Sequence, residues 1–272
     1  MSTQSERAHA LSALHARPGA FVIPNPWDAG SARFLAALGF EALATTSAGF
    51  AFSLGRADGA VTLEEKIAHC RDLCAATDLP VSADLENCFA DDPRTAAKTI
   101  LRGAEAGLVG GSIEDWSGTG IYDFTLAVER VQAAVEAARS LDFPFALTAR
   151  AENLLRGRMD MDETLRRLQA FEAAGADVLY APGLKNLDEV RMVTGAVKKP
   201  VNVLAAGMPG VTLDQLAAAG AKRISTGGAL ARAAIGELLR SGREMQEKGS
   251  FGWMTNVAPG AEVVKLLARW AP

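Results

Sequence analysis

Cysteine, histidine and tyrosine are scarce in this chain of 272 residues, with three, three and two of each. Cys70, Cys74 and Cys88 are too few, and odd in number, for a disulfide framework; they fit a reducing compartment. Cys70 and Cys74 stand at i,i+4 spacing. That spacing suits a shared metal ion or, the preferred reading, two small side chains buried on one helix face. His9, His15 and His69 are too scattered for a His-rich zinc site. Basic residues are not in excess: 28 Lys and Arg against 32 Asp and Glu give a net charge of −4. Nucleic acid needs a cationic surface, so it is excluded as a partner. No apolar run approaches the roughly 18 residues of a membrane span. The opening MSTQSERAHALSALHARPGAF lacks the apolar core of a signal peptide. The expectation is a cytoplasmic protein with no nucleic acid or membrane partner.

What is present is a repeat of short apolar runs, each ending in small, polar or acidic residues and followed by a helix-like segment. They are FVIPN (21–25), ALATTS (42–47), VSADLE (81–86), GGSIED (110–115), FALTAR (145–150), VLYAPG (178–183), VNVLAA (201–206) and RISTGG (223–228). Eight strand–helix units in a chain of this length predict an α/β fold, a (β/α)8 TIM barrel, as one domain over residues 1–272. The phrases EAGLVGG, AAGADVLY and AAGAKRIST repeat one device: a helix end, a glycine cap and a buried parallel strand. Thr62 and Thr212 open capping boxes with Glu65 and Gln215. Asp92-Pro93 and Asp162 each start a helix, and residues 1–19 read as a helix ahead of the first strand. Residues 48–61 and 116–122 read as long loops on the catalytic face, the second a glycine-rich gate. Residues 229–272 form a C-terminal helical extension. A barrel needs one helix after its last strand, so the surplus helix is expected to cap the barrel or pack on a neighbour.

Barrels of this kind do chemistry at the C-terminal ends of their strands. Asn25, Thr46, Ser47, Asp84, Glu86, Glu114, Asp115, Arg150 and Asn202 fall there, and no histidine does. Strand alternation puts Asp84 and Glu86 on one face, with Glu114 on the next strand. Three converging carboxylates must raise their pKa values or bind a divalent cation. All-oxygen donors select Mg²⁺ or Mn²⁺ over zinc. Arg150, in a small apolar setting, either pairs with Glu114 or Glu152 or clamps a substrate carboxylate. The amides of Thr46, Ser47 and Ala48 form a candidate anion nest. Together these suit a small dianionic acid with a keto or enol oxygen on the cation.

The segments TTSAGFAFSLGRADG (45–59), SADLE (82–86), SIED (112–115) and TARAE (148–152) make the chain resemble the isocitrate lyase/phosphoenolpyruvate mutase superfamily over residues 18–245. The resemblance implies Mg²⁺-dependent chemistry next to an α-keto acid or enolpyruvate. It implies that Asp84 contacts the ion and that Asp58, Glu86 and Glu114 hold its waters. It makes Arg150, Glu114 and Asp58 the catalytic candidates, and Thr46, Ser47, Ala48, Asp84, Arg150 and Asn202 the substrate-binding ones. It also implies a swapped C-terminal helix and a homo-oligomer, tetramer or dimer.

The departures narrow the activity. The lyases of the superfamily carry a Lys-Lys/Arg-Cys-Gly motif after strand 4, where this chain has WSGTGIYD. Decarboxylation of an oxaloacetate-like acid through an enolate needs no base or nucleophile for bond breaking, so that is the leading expectation. A carbon–carbon lyase of the methylisocitrate or dimethylmalate type is the alternative, with Tyr122 or Cys88 as proton donor. A non-catalytic keto-acid binding protein is the third reading.

Overall fold

A computed structural model describes residues 2–270. Eight parallel strands run β1 (Phe21–Ile23), β2 (Leu43–Ala44), β3 (Val81–Asp84), β4 (Gly110–Glu114), β5 (Ala146–Arg150), β6 (Val178–Tyr180), β7 (Val201–Leu204) and β8 (Arg223–Ser225). Each lies inside its predicted run. They pair in the order β1-β8-β7-β6-β5-β4-β3-β2. The remaining seam is bridged where the Ala44 amide donates to the Pro24 carbonyl at 3.0 Å. Asn25 reinforces it: Nδ2 donates to the Thr45 carbonyl, and Oδ1 accepts from the Thr226 and Gly227 amides. The sheet is thus a (β/α)8 barrel closed at β1 and β2 by polar contacts. Asn25, a strand-end candidate, works as part of that seam.

The helices are α1 (Gln4–Ala16), α2 (Ala29–Ala37), α3 (Ser47–Ser53), α4 (Leu63–Ala76), α5 (Pro93–Glu105), α6 (Phe124–Arg139), α7 (Met161–Ala173), α8 (Leu187–Ala196), α9 (Leu213–Ala218), α10 (Ala229–Lys248) and α11 (Gly260–Leu267). The capping boxes at Thr62 and Thr212 form as expected, and Asp92 caps α5 ahead of its proline. Two expectations need correction. The cap of α7 is Asp160, which accepts from the Glu163 amide, while Asp162 lies in the first turn. The stretch 48–61 is not all loop, because Thr46 caps α3 immediately after β2. Gly49 is required there: a Cβ would stand 2.6 Å from the Thr46 side chain and 3.0 Å from Trp27.

The N-terminal mouth of the barrel is plugged by α1, whose Ala8, Leu11 and Leu14 pack with Phe21, Ile23 and Val109. Gly110 makes room for it, since a Cβ at that inward position would meet Leu11 at 3.3 Å. Only the opposite, C-terminal mouth is left for a ligand. Cys70 and Cys74 are buried on α4 with thiols pushed up to about 12 by burial, which supports packing over metal binding. No helix among the described residues is long and apolar enough to cross a membrane.

Burial also sets a pH response. His69 on α4 stacks on Phe50 at 3.8 Å and donates from Nε2 to the Trp27 carbonyl at 2.9 Å. Burial, helped by the nearby Lys66 charge, pushes its pKa from 6.5 down to about 4. The unfolded chain takes up a proton there near pH 6.5, the folded one only near pH 4. This stability is therefore complete above about pH 6.5 and is lost as the pH falls toward 4. At ~1.36 kcal/mol per pKa unit, about 3 kcal/mol is at stake. Between pH 7 and pH 4.5, urea melts of the wild type should lose about 2–3 kcal/mol more than those of His69→Gln. Equal losses would remove His69 as the cause.

Candidate active site

Along each strand, alternate residues face the barrel interior. Toward the C-terminal mouth that set is largely polar: Ser82 and Asp84 of β3, Ser112 and Glu114 of β4, Thr148 and Arg150 of β5, then Tyr180, Asn202, Arg223 and Ser225. TIM barrels ordinarily fill this space with branched apolar side chains. This one encloses a cavity of about 160 Å³ whose wall includes Asp84, Ser112, Arg150, Asn202 and Arg223. A second cavity of about 470 Å³ lies beside it, lined by Glu86, Glu114, Trp116 and Arg156. Ser47, Asp58, Arg150 and Leu155 belong to both walls.

Arg150 is the hub. Its Nη1 donates to Asp84 Oδ1 at 2.7 Å, and its Nε to Glu152 Oε1 at 2.9 Å. Nη2 stands 3.2 Å from Glu114 Oε2. Asp84 and Glu114 therefore converge as the strand ends implied, with Glu152 and not Glu86 as the third carboxylate on the guanidinium. Their environments separate them. Burial works to raise the Asp84 carboxyl, but Arg150 and Lys66 outweigh it and hold it below the ordinary range. Burial raises Glu114 well above that range, and Glu152 and Asp84 add to the rise. Glu86 is raised too, chiefly by burial. Of Asp84, Glu114 and Glu86, Asp84 is the one whose ionised form the surroundings favour.

The anion nest takes the form of a helix start. Thr46 Oγ1 accepts from the Gly49 amide, and the Ser47 amide donates to Asp84 Oδ2 at 3.3 Å. Ala48 lies beside them in the inner wall. Asp58 is exposed at the rim, common to both cavities. Asn202 lines the inner cavity, but its amide is already engaged: Oδ1 accepts from Arg223 and Nδ2 donates to Ser225.

Several expectations change. Alternation does not carry Glu86 into the site, because β3 ends at Asp84 and Glu86 has φ 53°. A left-handed turn brings it to the outer cavity instead, where Oε1 is buried with no hydrogen-bond partner. Asp115 turns away from the site, accepting from the Glu152 amide and Arg167. The stretch 116–122 is a compact turn, with Trp116 bridged to Ile121 and Ser117 bonded to Gly120. Neither proton-donor candidate lines a cavity. The Tyr122 hydroxyl is held by Asp91 and Asn87. Cys88 is fully buried in the core, its thiol pushed up to about 12 by burial.

Residues that strand-end reasoning missed include Lys66, Arg156 and Arg223. Lys66 is fully buried on α4 with Nζ 3.5 Å from Glu86 Oε1. Arg156 sits 3.3 Å from Glu152 and stacks on Trp116 at 4.6 Å. Arg223 was legible through parity, since it alternates with Ser225 on β8.

The arrangement fits a hydrated divalent cation. Among the described residues no three Asp, Glu, His or Cys groups stand close enough to ligate one ion directly. Mg²⁺ commonly binds through one or two carboxylates and keeps several waters. The donors are all oxygen, the surroundings favour the ionised form of Asp84, and Glu86 Oε1 is buried with only the Lys66 ammonium beside it at 3.5 Å.

The chain is similar in sequence and fold to several known proteins. A Burkholderia cenocepacia crystal structure, described only provisionally as a lyase/mutase, is 56% identical with a TM-score of 0.96, covering 99% of this chain and 98% of that one. The structure of 2,3-dimethylmalate lyase is 26% identical with a TM-score of 0.83, over 98% and 95% of the two chains. Oxaloacetate decarboxylase of Ectopseudomonas mendocina is 28% identical over 86% of this chain and 82% of its own. The phosphoenolpyruvate phosphomutase family model matches residues 11–246. The chain therefore belongs to the isocitrate lyase/phosphoenolpyruvate mutase superfamily, whose members are lyases and mutases.

Proposed function

We propose that the protein is a Mg²⁺-dependent lyase, with Mn²⁺ as a substitute, that cleaves a small α-keto dicarboxylic acid through an enolate. Decarboxylation of an oxaloacetate-like acid is the leading case. The observation that carries this reading is the cavity wall itself: carboxylates, Arg150 and the Ser47 amide surround the space, and neither wall contains a lysine, histidine or cysteine. Asp84 would hold the cation, with Glu86, Glu114 and Asp58 bonded to its waters. A bound cation would polarise the keto oxygen and so stabilise the enolate. Arg150 and the amides of Thr46, Ser47 and Ala48 would hold the carboxylate that stays with the product. Leu155 and Trp116 would keep bulk water from the enolate. The phenol of Tyr180 holds its proton, since burial raises its pKa.

The roomier outer cavity is what favours the second reading, a carbon–carbon lyase for a branched acid of the methylisocitrate or dimethylmalate type. The lack of a lysine, histidine or cysteine in either wall favours the third, a keto-acid binder without turnover. Oxaloacetate, 2-methylisocitrate and 2,3-dimethylmalate should be assayed with Mg²⁺ and with EDTA. Mg²⁺-dependent pyruvate release from oxaloacetate alone supports the proposal. Cleavage of a branched acid alone replaces it with the second reading, and no turnover of any with retained oxalate binding leaves the third.

The same reading includes a cytoplasmic homo-oligomer. On α10 and beyond, Leu238, Leu239, Phe251, Met254, Val257 and Val264 are exposed, and no residue of α11 is buried. These exposed apolar side chains all fall between Leu238 and Val264, which is what favours a subunit interface there. Deleting residues 250–272 should lower the mass seen by light scattering or cause aggregation. An unchanged oligomeric mass would rule out this segment as an interface.

A further inference from the structure

The floor of the inner cavity holds a cation without an anion. Arg223 is only 5% exposed. Its Nε donates to Asn202 Oδ1 at 2.8 Å and its Nη2 to Thr148 Oγ1 at 2.9 Å. Both partners are neutral, and its Nη1 has no partner. No carboxylate among the described residues lies within ion-pair distance of it, whereas Arg150 has three. Burial pulls its pKa from 12.5 to about 10, so it keeps its charge at neutral pH. A buried charge is normally paired, because desolvation otherwise costs several kcal/mol.

The neighbourhood points the same way. One hydrogen-bonded row crosses the barrel from Glu114 through Arg150, Tyr180 and Asn202 to Arg223. Paired residues of a parallel row face the same side, so both guanidiniums point inward, and both line the 160 Å³ cavity. Ser112 Oγ, in the same wall, is also buried without a partner. The wall of the cavity thus holds two buried, unused donors away from the Arg150 cluster.

We propose that Arg223 and Ser112 form the seat for a second, distal carboxylate of the substrate, and so select dicarboxylic over monocarboxylic keto acids. This deepens the reading under Proposed function and rests on it. The keto-acid head would lie at Arg150 and the Ser47 amide, with the distal carboxylate directed into the barrel. In the bound acid Nη1 would donate to one carboxylate oxygen and the Ser112 hydroxyl to the other; in an oxaloacetate-like acid this is the carboxylate that leaves as CO₂, so the seat governs which acid binds and does not assist the bond-breaking step.

The test is calorimetry with Mg²⁺ present, using oxalate as a head-only probe and the two enantiomers of malate as four-carbon dicarboxylates. Arg223→Gln should weaken malate at least about tenfold and oxalate less than about twofold, and Arg223→Lys should recover part of the loss. Ser112→Ala should weaken malate several-fold, and it decides the matter if Arg223→Gln does not fold, since Ser112 Oγ bonds to nothing in the fold. Equal weakening of both probes, or no change in malate affinity, overturns the seat. If the wild type binds oxalate but neither malate, the seat falls while the keto-acid reading stands. If it binds neither oxalate nor malate, both fall.

Discussion

Asp84→Asn is expected to weaken Mg²⁺-dependent binding of oxalate at least about a hundredfold, because even partners beyond the direct ligands of a metal are worth 10- to 100-fold. The substitution keeps the shape of the side chain and removes its charge. Arg150 and Lys66 hold the Asp84 carboxyl below the ordinary range, whereas burial raises Glu114 and Glu86, so Asp84 is the anion these surroundings favour for a cation. It also occupies Arg150 Nη1 at 2.7 Å. A cation that draws on Asp84 would loosen that contact and leave Nη1 for a ligand carboxylate. Mg²⁺ and oxalate should therefore strengthen each other's binding in the wild type by equal factors, as linkage requires. The fold should survive, since Arg150 keeps Glu114 and Glu152. Calorimetric titration of each ligand with and without the other checks both points. Unchanged Mg²⁺ and oxalate affinities in a folded Asp84→Asn protein would sink the assignment.

Arg150→Lys is the second large effect. Lysine keeps the charge but loses the planar fork, and one ammonium cannot span Asp84, Glu114 and Glu152 as the guanidinium does. Charge-assisted hydrogen bonds are worth about 1.5–3 kcal/mol each. Losing one or two should cost about 2–4 kcal/mol in keto-acid binding, roughly 30- to 1000-fold. Stability should also fall, because Glu152 is fully buried and would be left with Arg156 at 3.3 Å as its nearest firm partner. A Lys variant that binds and turns over normally would make Arg150 a structural counter-ion only.

The sequence by itself determined the barrel. Strand periodicity, glycine caps and Thr capping boxes are local signals, and local signals survive into the fold with little interference. It also brought Asp84, Glu114 and Arg150 to one mouth, because the ends of parallel strands in a closed sheet are necessarily neighbours. Beyond that point the tertiary structure decided. Period-2 alternation says which face a strand residue occupies, and it fails where the strand stops, as it does before Glu86. Asp115, one residue past Glu114, turns outward to Arg167 of α7, a partner 52 positions away. Lys66 reaches Glu86 from the first turn of α4, where helical periodicity marks it only as a residue on the sheet-facing side. Tyr122 falls in the expected gate yet is held by Asp91 from another loop. Whether a buried charge is paired depends on side chains that the closure of the ring brings within a few ångströms. Spacing along the chain carries no record of those distances, and for that reason the three carboxylates around Arg150, and the absence of any around Arg223 among the described residues, appear only in the folded protein.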